Sequence, residues 1–199
     1  MEEELIELGS PTASKRVILL HGLTGTASVI RPVAEYLCKR LGEDYSFLLP
    51  TAPIIKVKQF NGEPAHAWFD VKSSDFRREA DIDGIFESSD RIASLVRNEI
   101  SQGVSPKDIY LGGFSQGGVI ALTTALLEPF AVAGVFAFSS YLPLEDQLTS
   151  RMTDVSKDVP IFQAVSLKDE FISQEMSDKA SAFLRNRGNP VLIQNYDMK

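Results

Sequence analysis

The chain is poor in cysteine, histidine and net positive charge. Its single cysteine, Cys38, among 199 residues rules out an internal disulfide. That suits a reducing compartment, and the expected location is the cytoplasm. Twenty Lys and Arg against 27 Asp and Glu leave a formal net charge of −7. This balance argues against a nucleic-acid partner and against electrostatic attachment to anionic membranes. There is no long apolar run. The most apolar stretch, 121–142, is broken by Glu128-Pro129 and carries Ser139-Ser140, so no stable membrane insertion is expected. Met1-Glu2-Glu3-Glu4-Leu5 has neither a basic nor an apolar signal region, and no signal peptide is expected. No cluster has metal-ligand spacing, so neither metal nor cofactor is expected. Hydrophobic residues at 44% and charged residues at 24% are ordinary, and the length fits one domain, 1–199.

What is present is an alternation of strand-like and helix-like segments. Residues 4–8 suggest an edge strand, and Arg16-Val17-Ile18-Leu19-Leu20 a strand buried on both faces. A helix follows, with Ile30, Val33, Ala34, Leu37, Cys38 and Leu41 on its inward face. Strands are expected over 45–49, 107–111, 133–138, 160–165 and 191–194, and helices over 81–100, 119–127 and 174–187. Residues 50–80 are irregular, with Pro53, Pro64, Asn61-Gly62 and a Trp68-Phe69 pair; a connection this long is usually functional. The alternation implies an α/β fold with a mostly parallel central sheet and helices on both faces. Active sites of such sheets lie beyond the carboxyl ends of the strands.

Gly113-Phe114-Ser115-Gln116-Gly117 sits between a predicted strand and a predicted helix. A serine at such a turn is held strained, with its hydroxyl above the sheet and the helix dipole directed at it. A serine hydroxyl needs a base, usually His, an acid to orient that base, and two N–H donors for the oxyanion. In this setting Gln116 supplies one donor, and the loop His21-Gly22-Leu23, through Leu23, the other. Leu23, Ser115 and Asp169 each follow a predicted strand and should converge at one edge of the sheet.

Several segments together resemble the phospholipase/carboxylesterase family of α/β-hydrolases, which includes acyl-protein thioesterases. Leu19-Leu20-His21-Gly22-Leu23 resembles its oxyanion loop, and Gly113-Phe114-Ser115-Gln116-Gly117-Gly118 its nucleophile elbow. Pro50-Thr51-Ala52-Pro53, Asn61-Gly62 and Ala67-Trp68-Phe69-Asp70 resemble its substrate-side loop. Ser140-Tyr141-Leu142-Pro143 is similar to a Ser-Gly-Tyr-Leu-Pro segment, with Ser140 in place of Gly. Pro160-Ile161-Phe162-Gln163 followed by Asp169 resembles the strand and loop that carry the acid. The resemblance implies a serine hydrolase cleaving carboxylic esters or acyl thioesters, with Ser115 as nucleophile and Asp169 as triad acid. It also implies Leu23 and Gln116 as oxyanion donors and Trp68, Phe69 and Leu142 as substrate-pocket wall. The expected partner is a small-molecule ester or acylated substrate.

The departures bear on activity. A His-Gly pair expected before Asp169 is replaced by Val165-Ser166, and the oxyanion loop continues Thr24-Gly25-Thr26 without the family's acidic residue. The triad histidine of the family follows a Tyr-x-Met-Gly pattern, which Tyr196-Asp197-Met198-Lys199 matches up to the position before it. The histidine and a final helix are therefore expected beyond residue 199. Sheet surface left without that helix invites association, making a homodimer an expectation. His21 reads as a structural loop residue and His66 as a rim residue. The rival expectation is a catalytically inactive α/β-hydrolase that binds an acyl ligand or a partner.

Overall fold

The computed structural model describes residues 4–71, 80–144 and 146–197. Seven of its strands form one sheet: β1 (Leu5–Gly9), β2 (Lys15–Leu20), β3 (Tyr45–Pro50), β6 (Ile109–Phe114), β7 (Gly134–Phe138), β8 (Ile161–Ser166) and β9 (Val191–Tyr196). β4 (Ile54–Val57) and β5 (Glu63–His66) make a separate antiparallel pair. The helices are α1 (Ala27–Leu41), α2 (Ile82–Ser101), α3 (Gln116–Leu127), the short α4 (Asp146–Thr149) and α5 (Gln174–Arg187). The sheet order is β1-β3-β2-β6-β7-β8-β9, and only β1 runs antiparallel, along β3.

Side-chain alternation sorts the sheet into two faces. Ile18, Leu20, Ile109, Leu111, Val135, Ala137 and Ile161 face one way, into the main core with α2, α3 and α5. Val17, Leu19, Phe47 and Leu49 face the other way, under α1. α3 is apolar all round because it lies sandwiched between the sheet and α2. α5 starts at Ser173, whose side chain accepts from the Met176 N–H, and stops at Gly188 in the left-handed region, φ 112°.

Two expectations need correction. α1 was expected to bury Val33 and Leu41, but both are exposed, and its deep contacts are the small Ala27 and Ala34. The helix lies close to the sheet, where a smaller residue fits and a longer one is displaced to the rim. The stretch after β3 was read as irregular, yet it contains the β4–β5 hairpin, turned by Asn61 and Gly62 at φ 56° and 83°.

Beyond α1, the second face is aromatic. Phe136 packs its ring where a Cβ on Gly112 would project, Phe138 meets Phe136 at a tilt and Phe162 edge-on, and Leu192 is 65% exposed. A groove of about 600 Å³ runs along this part, with no helix over it among the described residues.

The chain leaves β2 through α1 to β3 on one side, then returns past β2 to β6 on the other. The crossover reverses between β2 and β6, and a crevice opens outside their carboxyl ends.

Candidate active site

Ser115 stands at the exit of β6, at φ 53° and ψ −120°. For a residue with a side chain this backbone costs about 1–3 kcal/mol, and persists only where its surroundings impose it. Here they do. A Cβ on Gly113 would come within 2.2 Å of the Gly117 carbonyl carbon, and one on Gly117 within 2.5 Å of the Leu20 carbonyl oxygen. Strand and helix therefore close on each other around the serine. Gly113→Ala is expected to lower stability by about 3 kcal/mol, because the added methyl meets backbone that cannot rotate away. Urea denaturation checks this, and an unchanged midpoint would contradict the tight turn.

The loop after β2 lies against the elbow. A Cβ on Gly22 would sit 3.0 Å from the Phe114 ring and 3.4 Å from the Ser115 Cβ. Neither the Leu23 N–H nor the Gln116 N–H donates to a backbone carbonyl among the described residues. Thr24 follows in the left-handed region at φ 64°, an outlier for a β-branched side chain, and its N–H donates to the His66 carbonyl at 2.8 Å.

A cavity of about 400 Å³ opens over Ser115. Its walls are Leu23 and Thr24 from the loop after β2, Gln59 and Phe60 from the hairpin, Phe114 beside the serine, and Asp169, Phe171 and Ile172 from the loop after β8. Apolar walls with few polar groups suit the acyl part of a small ligand. Asp169 is anchored: its Oδ1 accepts from the Phe171 and Ile172 N–H groups, both at 2.9 Å. Leu23, Ser115 and Asp169 thus meet in one cavity.

A family model described as phospholipase/carboxylesterase matches residues 1–199. The chain belongs to that family. Acyl-protein thioesterase 1 of Mycosarcoma maydis is 35% identical over 186 residues, covering 88% of this chain and 77% of that protein. Acyl-protein thioesterase 1 of Saccharomyces cerevisiae is 32% identical over 192 residues, covering 94% of this chain and 83% of that protein. The crystal structure of Arabidopsis thaliana SOBER1 superposes with a TM-score of 0.86 at 26% identity, covering 92% of this chain and 88% of that one. As a member of the phospholipase/carboxylesterase family, this chain is a serine hydrolase.

In this hydrolase, three residues expected on the substrate wall lie elsewhere. Trp68, Phe69 and Leu142 are buried in the main core and are not among the residues that line the cavity. Trp68 serves as a brace, its indole N–H donating to the His21 carbonyl at 2.8 Å. The Gln116 amide holds the same segment, accepting from the Trp68 N–H at 3.1 Å and donating to the Phe69 carbonyl at 2.9 Å. The aromatics that do line the cavity, Phe60, Phe114 and Phe171, each sit next to a feature visible in the sequence: the Asn61-Gly62 turn, the serine and the acid. Adjacency was the available signal.

Both histidines are engaged away from Ser115. The Ala52 N–H donates to His21 Nε2 at 2.9 Å, so the proton is on Nδ1, which donates to the Gly22 carbonyl at 2.7 Å. His66 Nδ1 pairs with the Ala52 carbonyl at 2.7 Å. His21 is 1% exposed. Burial holds its imidazole below the ordinary value of 6.5; the Gly22 carbonyl opposes this and the nearby His66 adds to it. The folded form therefore resists protonation while the unfolded chain accepts it. The stability from neutral His21 is complete above about pH 6.5 and declines as pH falls from there through the lowered folded value. Urea midpoints at about pH 7.5 and about pH 5 are expected to differ more in the native protein than in His21→Gln. Equal differences would remove His21 as a source of the pH dependence.

Proposed function

We propose that this chain hydrolyses carboxylic esters or acyl thioesters through an acyl-enzyme formed on Ser115. The observation that carries the reading is the meeting of Ser115, Leu23 and the anchored carboxylate of Asp169 around one cavity. The Ser115 Oγ attacks the acyl carbon while a base removes its proton. The Leu23 and Gln116 N–H groups hold the oxyanion that forms on the acyl oxygen. The tetrahedral species collapses, the alkoxide or thiolate leaves with the proton held by the base, and water repeats the sequence to release the acid. The relatives include acyl-protein thioesterases and a carboxylesterase, which supports both substrate classes. The site of action in this reading is the cytoplasm.

The base in this reading is a histidine, the residue that most often serves a serine nucleophile. β9 pairs with β8 so that Tyr196 lies opposite Ser166, and the Leu167 N–H donates to the Tyr196 carbonyl at 2.8 Å. Asp197, directly after that strand, lies beside the loop that carries Asp169, its Oδ1 2.9 Å from Lys168 Nζ. Asp169, with Oδ1 fixed by two N–H donors, then has Oδ2 to orient the imidazole.

A second reading, a non-catalytic protein that holds an acyl ligand, rests on one observation: among the described residues no histidine is hydrogen-bonded to Ser115. A fluorophosphonate probe separates the two. Labelling of the full protein at Ser115, lost in Ser115→Ala, is the expected result; no labelling favours the binding protein.

A further inference from the structure

Ser140 takes no part in the chemistry above, yet it is 2% exposed and its hydroxyl is spent on the elbow. The Oγ donates to the Ser115 carbonyl at 3.0 Å. Its other acceptor in reach, the Tyr141 carbonyl, is at 3.5 Å, and a hydroxyl has one proton, so the shorter bond prevails.

The Ser115 carbonyl also accepts from the Gly118 and Val119 N–H groups at 3.0 and 3.2 Å. Those two donors belong to α3 and approach from the helix. Ser140 comes from the loop after β7 and adds a donor from a separate element. The Ser115 C=O and the Gln116 N–H belong to one planar peptide unit and point in opposite directions. Holding the oxygen therefore holds the direction of the N–H. We propose that Ser140 is a positioning residue that aims the Gln116 N–H at the oxyanion by clamping the far end of the same peptide.

Four features fit that role. The peptide follows a residue held at φ 53°, so its plane is under strain and a third donor resists its rotation. A hydrogen bond received by a carbonyl polarises the amide and strengthens its N–H as a donor. Ser140 is itself fixed from behind: the Ser177 hydroxyl donates to its carbonyl at 3.2 Å, and Ser177 sits on α5 beside Ser181, whose hydroxyl ties that helix to β8 through Gln163 Oε1. Both α5 serines are buried. Clamp and motif are also matched in shape, because a Cβ on Gly118 would lie 2.6 Å from the Ser140 Cβ and Oγ. Any side chain at 118 would push the hydroxyl off its acceptor.

The inference rests on the proposed esterase reading for its kinetics, but not for its geometry. In Ser140→Ala, the Ser115 carbonyl ¹³C and Gln116 amide ¹⁵N resonances are expected to move upfield, since both nuclei are deshielded by a bond to that oxygen. In the same variant kcat is expected to fall about tenfold with KM changed less than about twofold, a fraction of the loss on removing an oxyanion donor outright. Ser177→Ala, one step further back, is expected to shift the same two resonances by less. Unmoved resonances in Ser140→Ala overturn the clamp. A loss confined to KM overturns the aiming. If the unaltered protein hydrolyses no ester, the esterase reading fails alone, and the resonances still decide whether Ser140 holds the peptide.

Discussion

Ser115→Ala is expected to lower hydrolysis of an aryl ester or acyl thioester by roughly four to six orders of magnitude. The alanine keeps the cavity and the anchored carboxylate, and removes only the oxygen on which the proposed acyl-enzyme forms. What remains is stabilisation of attack by free water, a small part of the whole because nucleophile and base act as a unit. The measurement is kcat for both proteins at saturating substrate, paired with probe labelling. A variant keeping more than about a hundredth of the parent rate would place the nucleophile elsewhere. The variant should fold at least as well as its parent, since alanine relieves none of the tight contacts at Gly113 and Gly117 and adds none.

The second large effect is on stability and lies far from the cavity. Arg16 is the second residue of β2 and Glu99 lies near the end of α2; their side chains, 10% and 9% exposed, meet at 2.8 Å. The guanidinium is further satisfied by the carbonyls of Ala13 and Pro11. Removing one partner leaves an uncompensated charge where water cannot reach it, and Glu99→Ala is expected to cost about 3–5 kcal/mol. Replacing both, as in Arg16→Met with Glu99→Leu, is expected to recover most of the loss, because the penalty belongs to the stranded charge rather than to the pair. Urea unfolding of the two variants beside the parent checks this. A single variant within about 0.5 kcal/mol of the parent would mean that the surviving guanidinium is hydrated.

Much of this fold was legible because its signals are local. β2 reads as a run of apolar residues, since a central parallel strand is buried on both faces. α5 was bounded correctly at 174–187, its end marked by Gly188; the structure adds Ser173 as the cap at its start. The elbow was legible for a similar reason: a strained serine between two close-approaching glycines leaves few other residue choices. The β4–β5 hairpin was not read. Pro64 within β5 argues against a strand, and only pairing at an edge, opposite Lys56, accommodates it. Trp68 was read as pocket wall, because composition cannot distinguish an aromatic facing a cavity from one facing the core.

The residues near one another in the chain were enough to name the chemistry: Gly-x-Ser-x-Gly between strand and helix, and a loop able to present the Leu23 N–H. Periodicity and turn preference are set by backbone sterics over a few residues, so they survive in one dimension. Which distant groups meet is set by sheet order and helix packing, and those are sums over many weak contacts that no single segment carries. Folding brought Asp169 into the cavity with Ser115, drew Trp68 to the His21 carbonyl as a brace, and set the Ser140 hydroxyl, 25 residues downstream, on the Ser115 carbonyl.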